Sequence, residues 1–104
     1  MHRGEVWWGV LPAPVGPRPV AIITRERGVA VRNSVTVAIL TTRVRGLPTE
    51  VALSKTDGLA KDCVINADNI LTVEKPLLTR RLAVLSQAKL AELERAVRFS
   101  LGLD

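Results

Sequence analysis

Four of the six prolines fall between residues 12 and 19, and the last two bracket an arginine in Pro17-Arg18-Pro19, directly before the apolar run Val20-Ala21-Ile22-Ile23. A helix cannot run through this segment. Proline lacks a backbone donor, fixes its own φ and pushes the preceding residue towards extended geometry. Pro12 to Pro17 therefore reads as a stiff surface loop that delivers the chain into a strand ending at Thr24. An apolar run bounded by turn signals is the pattern of a buried strand. Arg18 is then pinned at the rim of that strand, a charged fork with little entropy left to lose on gripping a phosphate. On pattern alone the plainer reading, a solvated arginine between loop prolines, is favoured.

The rest of the chain repeats the pattern of short strands and tight turns. Val6-Trp7-Trp8-Gly9-Val10-Leu11 alternates as a first strand, with Val6, Trp8 and Val10 on one face and Glu5, Trp7 and Gly9 on the other. One tryptophan is expected in the core and the other partly buried on the second face. Arg25-Glu26-Arg27-Gly28 reads as a charged turn, and Val35 to Leu40 as a third strand closed by Thr41-Thr42. Arg43-Val44-Arg45-Gly46-Leu47-Pro48 follows, so two hydroxyls and two arginines make an anion-friendly corner at the strand exit. In the plainer reading, the threonines bond their own backbone in a solvated loop. Thr49 to Leu53 alternates as a fourth strand, and Asp62 to Asn66 starts a fifth that continues through Val73. Asn66, Asp68 and Asn69 interrupt that fifth strand, and such residues are depleted in strands, which predicts a bulge or a polar site. Glu74-Lys75-Pro76 breaks the chain.

From Ser86 the period becomes helical. Ser86 suits an N-cap, Leu90, Leu93, Val97 and Leu101 share one stripe, and Gly102 stands where a terminating glycine belongs. Short strands followed by one amphipathic helix predict a mainly β (α+β) fold, a small antiparallel barrel or sheet capped by a helix. At 104 residues the chain is expected to form one domain over residues 1–104.

Fifteen basic against ten acidic residues give a net charge of +5, which favours a polyanionic partner, either nucleic acid or an acidic protein segment. Only 3% of residues are aromatic and none is tyrosine, which argues against a base-stacking platform of the RRM type. One histidine, His2, and one cysteine, Cys63, offer no metal-ligand cluster of recognised spacing and no credible Ser-His-Asp or Cys-His set. No metal or cofactor is expected. The lone cysteine excludes an internal disulfide and fits a reducing cytoplasm, with Cys63 as core filler. No stretch has the apolar length of a membrane span.

Taken together, Arg3-Gly4-Glu5-Val6-Trp7-Trp8, Gly16-Pro17-Arg18-Pro19-Val20, Ala38-Ile39-Leu40-Thr41-Thr42, Leu47-Pro48-Thr49-Glu50-Val51, Asp62 to Val73 and Ser100-Leu101-Gly102-Leu103 resemble, in order, the MazF/PemK (Kid-like) toxins of bacterial toxin–antitoxin pairs. The resemblance implies an SH3-like five-stranded antiparallel barrel with a C-terminal helix, a homodimer, and a metal-independent, sequence-specific endoribonuclease that cuts single-stranded RNA in the cytoplasm. It also implies a cognate antitoxin whose acidic disordered tail blocks the RNA groove. By position, the arginine of the family's R-P-V motif is Arg18 and the threonine closing the third strand is Thr41. These imply a catalytic pair in which a fixed guanidinium and a hydroxyl donor stabilise the phosphorane formed when a 2′-hydroxyl attacks its own phosphate. Thr42, Leu47, Thr49, Glu50, Asp68 and Asn69 match positions implied to contact RNA.

Two departures stand out. Asn66 occupies the position of an arginine in Kid-like members, and the loop before Arg18 is short and proline-rich where many members carry a longer glycine-rich one. Two other functions share parts of this pattern: a CcdB-like gyrase-inhibiting toxin, and a non-catalytic SH3-like nucleic-acid-binding module. Neither needs the Arg18–Thr41 pair.

Overall fold

The computed structural model describes residues 1–103. Six strands, β1 (Glu5–Val10), β2 (Pro17–Ile22), β3 (Ser34–Thr41), β4 (Glu50–Leu53), β5 (Cys63–Glu74) and β6 (Leu78–Val84), form one sheet in the order β4-β5-β3-β2-β1-β6. Every neighbouring pair is antiparallel, and the sheet curls as a half-barrel. Two helices complete the fold, α1 (Glu26–Val31) and α2 (Gln87–Leu101).

The strand count corrects the five-stranded expectation. β6 is an edge strand that pairs with β1 through two register shifts, and of its residues only Leu78 is fully buried while Thr79, Arg80 and Arg81 face solvent. Those shifts erase the alternation by which a strand is read from sequence. α1 likewise replaces the expected charged turn. Its sequence holds a glycine and two valines, poor helix formers, and packing decides the matter: Val29 is buried beneath the sheet. Gly28 is required there, because a Cβ would stand 2.8 Å from Thr24 Cγ2.

The core lies on both faces of the sheet, which accounts for the continuous apolar runs. Ala21, Ala38, Leu40, Val51 and Ile65 pack towards Leu93 and Ala96 of α2, whereas Val20, Ile22, Val35, Val37 and Ile39 pack with Val29 of α1. α2 starts at Ser86, whose Oγ accepts from Lys89 N at 3.1 Å, and ends at Gly102 with φ 68°. Leu93 is buried and Leu90 and Val97 pack against the same cluster, but Leu101 is exposed. Neither tryptophan is fully buried. Trp7 packs against the α1-side cluster and donates Nε1–H to the buried carboxylate of Glu5 at 2.9 Å, while Trp8 stays on the open side.

The expected interruption of β5 is a bulge. Ile39 pairs with Asn66 while its neighbour Ala38 pairs with Ile70, so residues 67–69 loop out of the ladder. Asn66 Oδ1 accepts from Asp68 N at 2.9 Å and holds the turn.

Candidate functional site

A cavity of about 530 Å³ opens where β2 begins and β3 ends. Arg18, Thr41 and Thr42 line it together, with Trp8 and Leu40 among the apolar walls. β2 carries Arg18 opposite Gly9 of β1, and the prolines on either side fix its backbone. Thr41 is the last residue of β3. Its Oγ1 accepts from Arg43 N at 3.1 Å, so the hydroxyl proton remains free to donate.

Arg18 Nε is buried and has no hydrogen-bond partner among the described residues. Leaving a buried donor unpaired costs about 1–3 kcal/mol, and more for a charged group. An anion in the cavity would supply the missing acceptor. The charged side chains of the cavity are basic: Lys61 and Arg80 line it with Arg18, and among the described residues no aspartate or glutamate does. Cys63 lies at its edge within the core cluster. Burial pushes its thiol pKa up, with Asp62 and Asp57 adding to the effect, so it suits packing rather than nucleophilic attack.

Leu47, Thr49, Glu50, Asp68 and Asn69 do not line this cavity. They lie on the β3–β4 loop, at the start of β4 and on the β5 bulge, and Glu50 lines a separate cavity against α2 with Glu92, Arg95 and Phe99. Glu50 accepts from the backbone N–H groups of Arg45, Gly46 and Leu47 at 2.8–3.2 Å. Removal from water pushes the Glu50 pKa up, but those hydrogen bonds and the Arg45 charge outweigh it, leaving the carboxyl below its ordinary value. Asp68 accepts from Thr49 Oγ1 at 2.6 Å and from Ser100 Oγ at 2.9 Å, joining the bulge to the start of β4 and the end of α2. The two hydroxyls lower the Asp68 pKa against an opposing effect of burial. Leu47 and Asn69 are exposed.

Among the described residues, no three His, Cys, Asp or Glu side chains gather as a metal site would require, and no helix is long and apolar enough to cross a membrane. Trp8, Lys61 and Arg80 line the cavity without having been singled out in the sequence for that role. Alternation places Trp8 on the face it shares with Val6, and Arg80 lies in the strand whose pattern the register shifts conceal.

A model of the PemK-like, MazF-like toxins of type II toxin–antitoxin systems matches residues 2–101. The chain is 38% identical over 103 residues to a probable endoribonuclease MazF2 of Mycobacterium tuberculosis, covering 98% of this chain and 99% of that protein. Among solved structures, the Mycobacterium tuberculosis toxin MazF-mt6 superposes with a TM-score of 0.88 at 34% identity, covering 96% of this chain and 98% of that one. A mycobacterial endoribonuclease solved in complex with its cognate antitoxin superposes with a TM-score of 0.88 at 30% identity, covering 100% and 97%.

Proposed function

Because the chain belongs to the PemK-like, MazF-like toxins of type II toxin–antitoxin systems, we propose that it is an endoribonuclease toxin that cuts single-stranded RNA and is neutralised by a cognate antitoxin. The cut is made at the Arg18–Thr41 cavity without metal. The unpartnered, buried Arg18 Nε beside a free threonine hydroxyl carries this reading.

In the reaction the 2′-oxygen of the substrate forms a bond to the adjacent phosphorus while the bond to the 5′-oxygen breaks. The 2′-hydroxyl gives up its proton and the leaving 5′-oxygen gains one. Negative charge concentrates on the phosphorane oxygens at the midpoint. Arg18, always charged and geometrically fixed, stabilises that charge more than it stabilises the starting diester. The Thr41 hydroxyl donates a second hydrogen bond to the same oxygens. Thr42 extends the phosphate contact, and Leu47, Thr49, Glu50, Asp68 and Asn69 form the continuation of the groove in which flanking bases are read. Since Glu50 and Asp68 are engaged by backbone and hydroxyl donors, they act there mainly by shaping the loop and the bulge.

The net charge of +5 suits both RNA and an acidic antitoxin tail that competes for the same cavity. The curled sheet with its terminal helix is read as an SH3-like half-barrel that works as a homodimer in the cytoplasm. The exposed apolar side chains Phe99, Leu101 and Leu103 at the end of α2 are consistent with a surface covered by a second protein.

The purified chain is expected to cut a long single-stranded RNA in excess EDTA, leaving 2′,3′-cyclic phosphate and 5′-hydroxyl ends. Cleavage that is lost in EDTA and restored by Mg²⁺ would refute the metal-free step. RNA binding without cleavage would instead point to a non-catalytic module.

A further inference from the structure

The Arg18–Thr41 cavity has a second basic wall. It is made by Lys61, in the loop that follows the 3-10 turn Lys55–Asp57, and by Arg80 of β6. Like most of the chain's cations, neither has an acidic partner among the described residues. Gathering unpaired cations in one concave, partly apolar site raises their mutual repulsion, which an anionic ligand relieves.

The placement of Lys61 is built into the fold. Ser54 N donates to Asp57 Oδ2 at 2.9 Å and Ser54 Oγ accepts from Thr56 N, which closes the 3-10 turn. Gly58 leaves that turn at φ +94°, and a Cβ on it would stand 3.2 Å from Ala83 Cβ in β6. The loop therefore packs directly on the strand that carries Arg80.

Arg18 and Arg80 flank β1 from opposite sides, paired with Gly9 and Trp8 respectively. Two strand spacings separate their backbones, about 10 Å at 4.7–4.9 Å each. Both side chains line the one cavity from either side of β1, so together they can engage more than one phosphate of a strand that crosses it.

Resting on the reading of this cavity as an RNA-cleaving site, we propose that Lys61 and Arg80 form a second phosphate clamp. The clamp holds the phosphate next to the one being cut and so fixes how the RNA strand crosses β1. Lys61 and Arg80 are positioning residues; the bond-breaking step stays with Arg18 and Thr41.

The test uses the full chain and a fluorescein-labelled single-stranded DNA of mixed sequence, which lacks the 2′-hydroxyl and cannot be cut by this chemistry. Arg80→Gln and Lys61→Gln should each weaken binding and reduce the slope of log affinity against log salt by about 0.7, the share of one phosphate contact on a single strand. Arg80→Lys keeps the charge and should retain the parental slope. In single-turnover RNA cleavage, the two glutamine variants should need more protein to reach half-maximal rate, while their saturating rates fall far less than that of Arg18→Lys. An unchanged salt slope in both glutamine variants would overturn the clamp. So would a saturating rate reduced as far as that of Arg18→Lys. A parent chain that binds the DNA but cuts no RNA would overturn the nuclease reading, and lowered slopes in the variants would still support the clamp.

Discussion

Arg18 is the residue on which the account depends, and its state can be observed directly. Its Nε–H is buried without an acceptor among the described residues, so binding of a phosphate should give it one. In a ¹H–¹⁵N spectrum of the arginine side chains, the Arg18 Nε–H resonance is expected to move downfield and exchange more slowly with water when a 2′-deoxy oligonucleotide is added. A resonance that stays in place while the protein saturates would mean that Arg18 does not touch the backbone. Thr41 is the complementary case, because the amide of Arg43 occupies an acceptor site on its oxygen and leaves the proton unclaimed. Asn66 lies outside the cavity and holds the amide of Asp68, so the Kid-like arginine position is filled here by a residue that shapes the bulge.

Among the elements, α2 is tied to the β5 bulge by a hydrogen bond from Ser100 Oγ to Asp68 Oδ1, and Asp68 is in turn bound by Thr49. Its folded-state pKa is depressed, so the stability it contributes is present above its ordinary value of 3.8 and is lost as pH falls through the lower folded value. Asp68→Asn should therefore unfold at a lower temperature than the parent at neutral pH, and the difference should shrink as the solution is acidified below about pH 4. Equal melting temperatures at neutral pH would show that the tie contributes nothing. This contact could not be foreseen from the sequence, although the bulge that presents Asp68 was legible in the polar residues of β5. The helix α2 was equally legible, because its cap, stripe and terminating glycine are all local signals. β6 and α1 were not, because each is decided by what it packs against: β6 by pairing with β1, α1 by burial of Val29. The same limit applies to the site. The proline-bracketed Arg18 and the strand-ending Thr41 were visible as neighbours of strong local signals. Arg80 and Lys61 reach the cavity only through the edge strand and a packed loop.

At the scale of the whole molecule, a small chain that exposes Phe99, Leu101 and Leu103 is suited to self-association, with the repulsion of its net charge of +5 opposing it. Light scattering at micromolar concentration is expected to give the mass of a dimer; a monomer mass with full cleavage activity would refute the homodimer. Metal-free cleavage at the Arg18–Thr41 cavity is read by single-turnover cutting of RNA in EDTA at saturating protein, with circular dichroism confirming the fold of each variant. Arg18→Lys keeps the charge but loses the planar fork, so it should bind RNA and cleave far more slowly. Thr41→Val removes one donor to the phosphorane and should lose about 10²–10³ in rate, or roughly 2.7–4 kcal/mol. Asn66→Ala, outside the cavity, should be affected much less than either. Parental rates in Arg18→Lys and Thr41→Val, with Asn66→Ala inactive, would contradict the account and place the chemistry on β5.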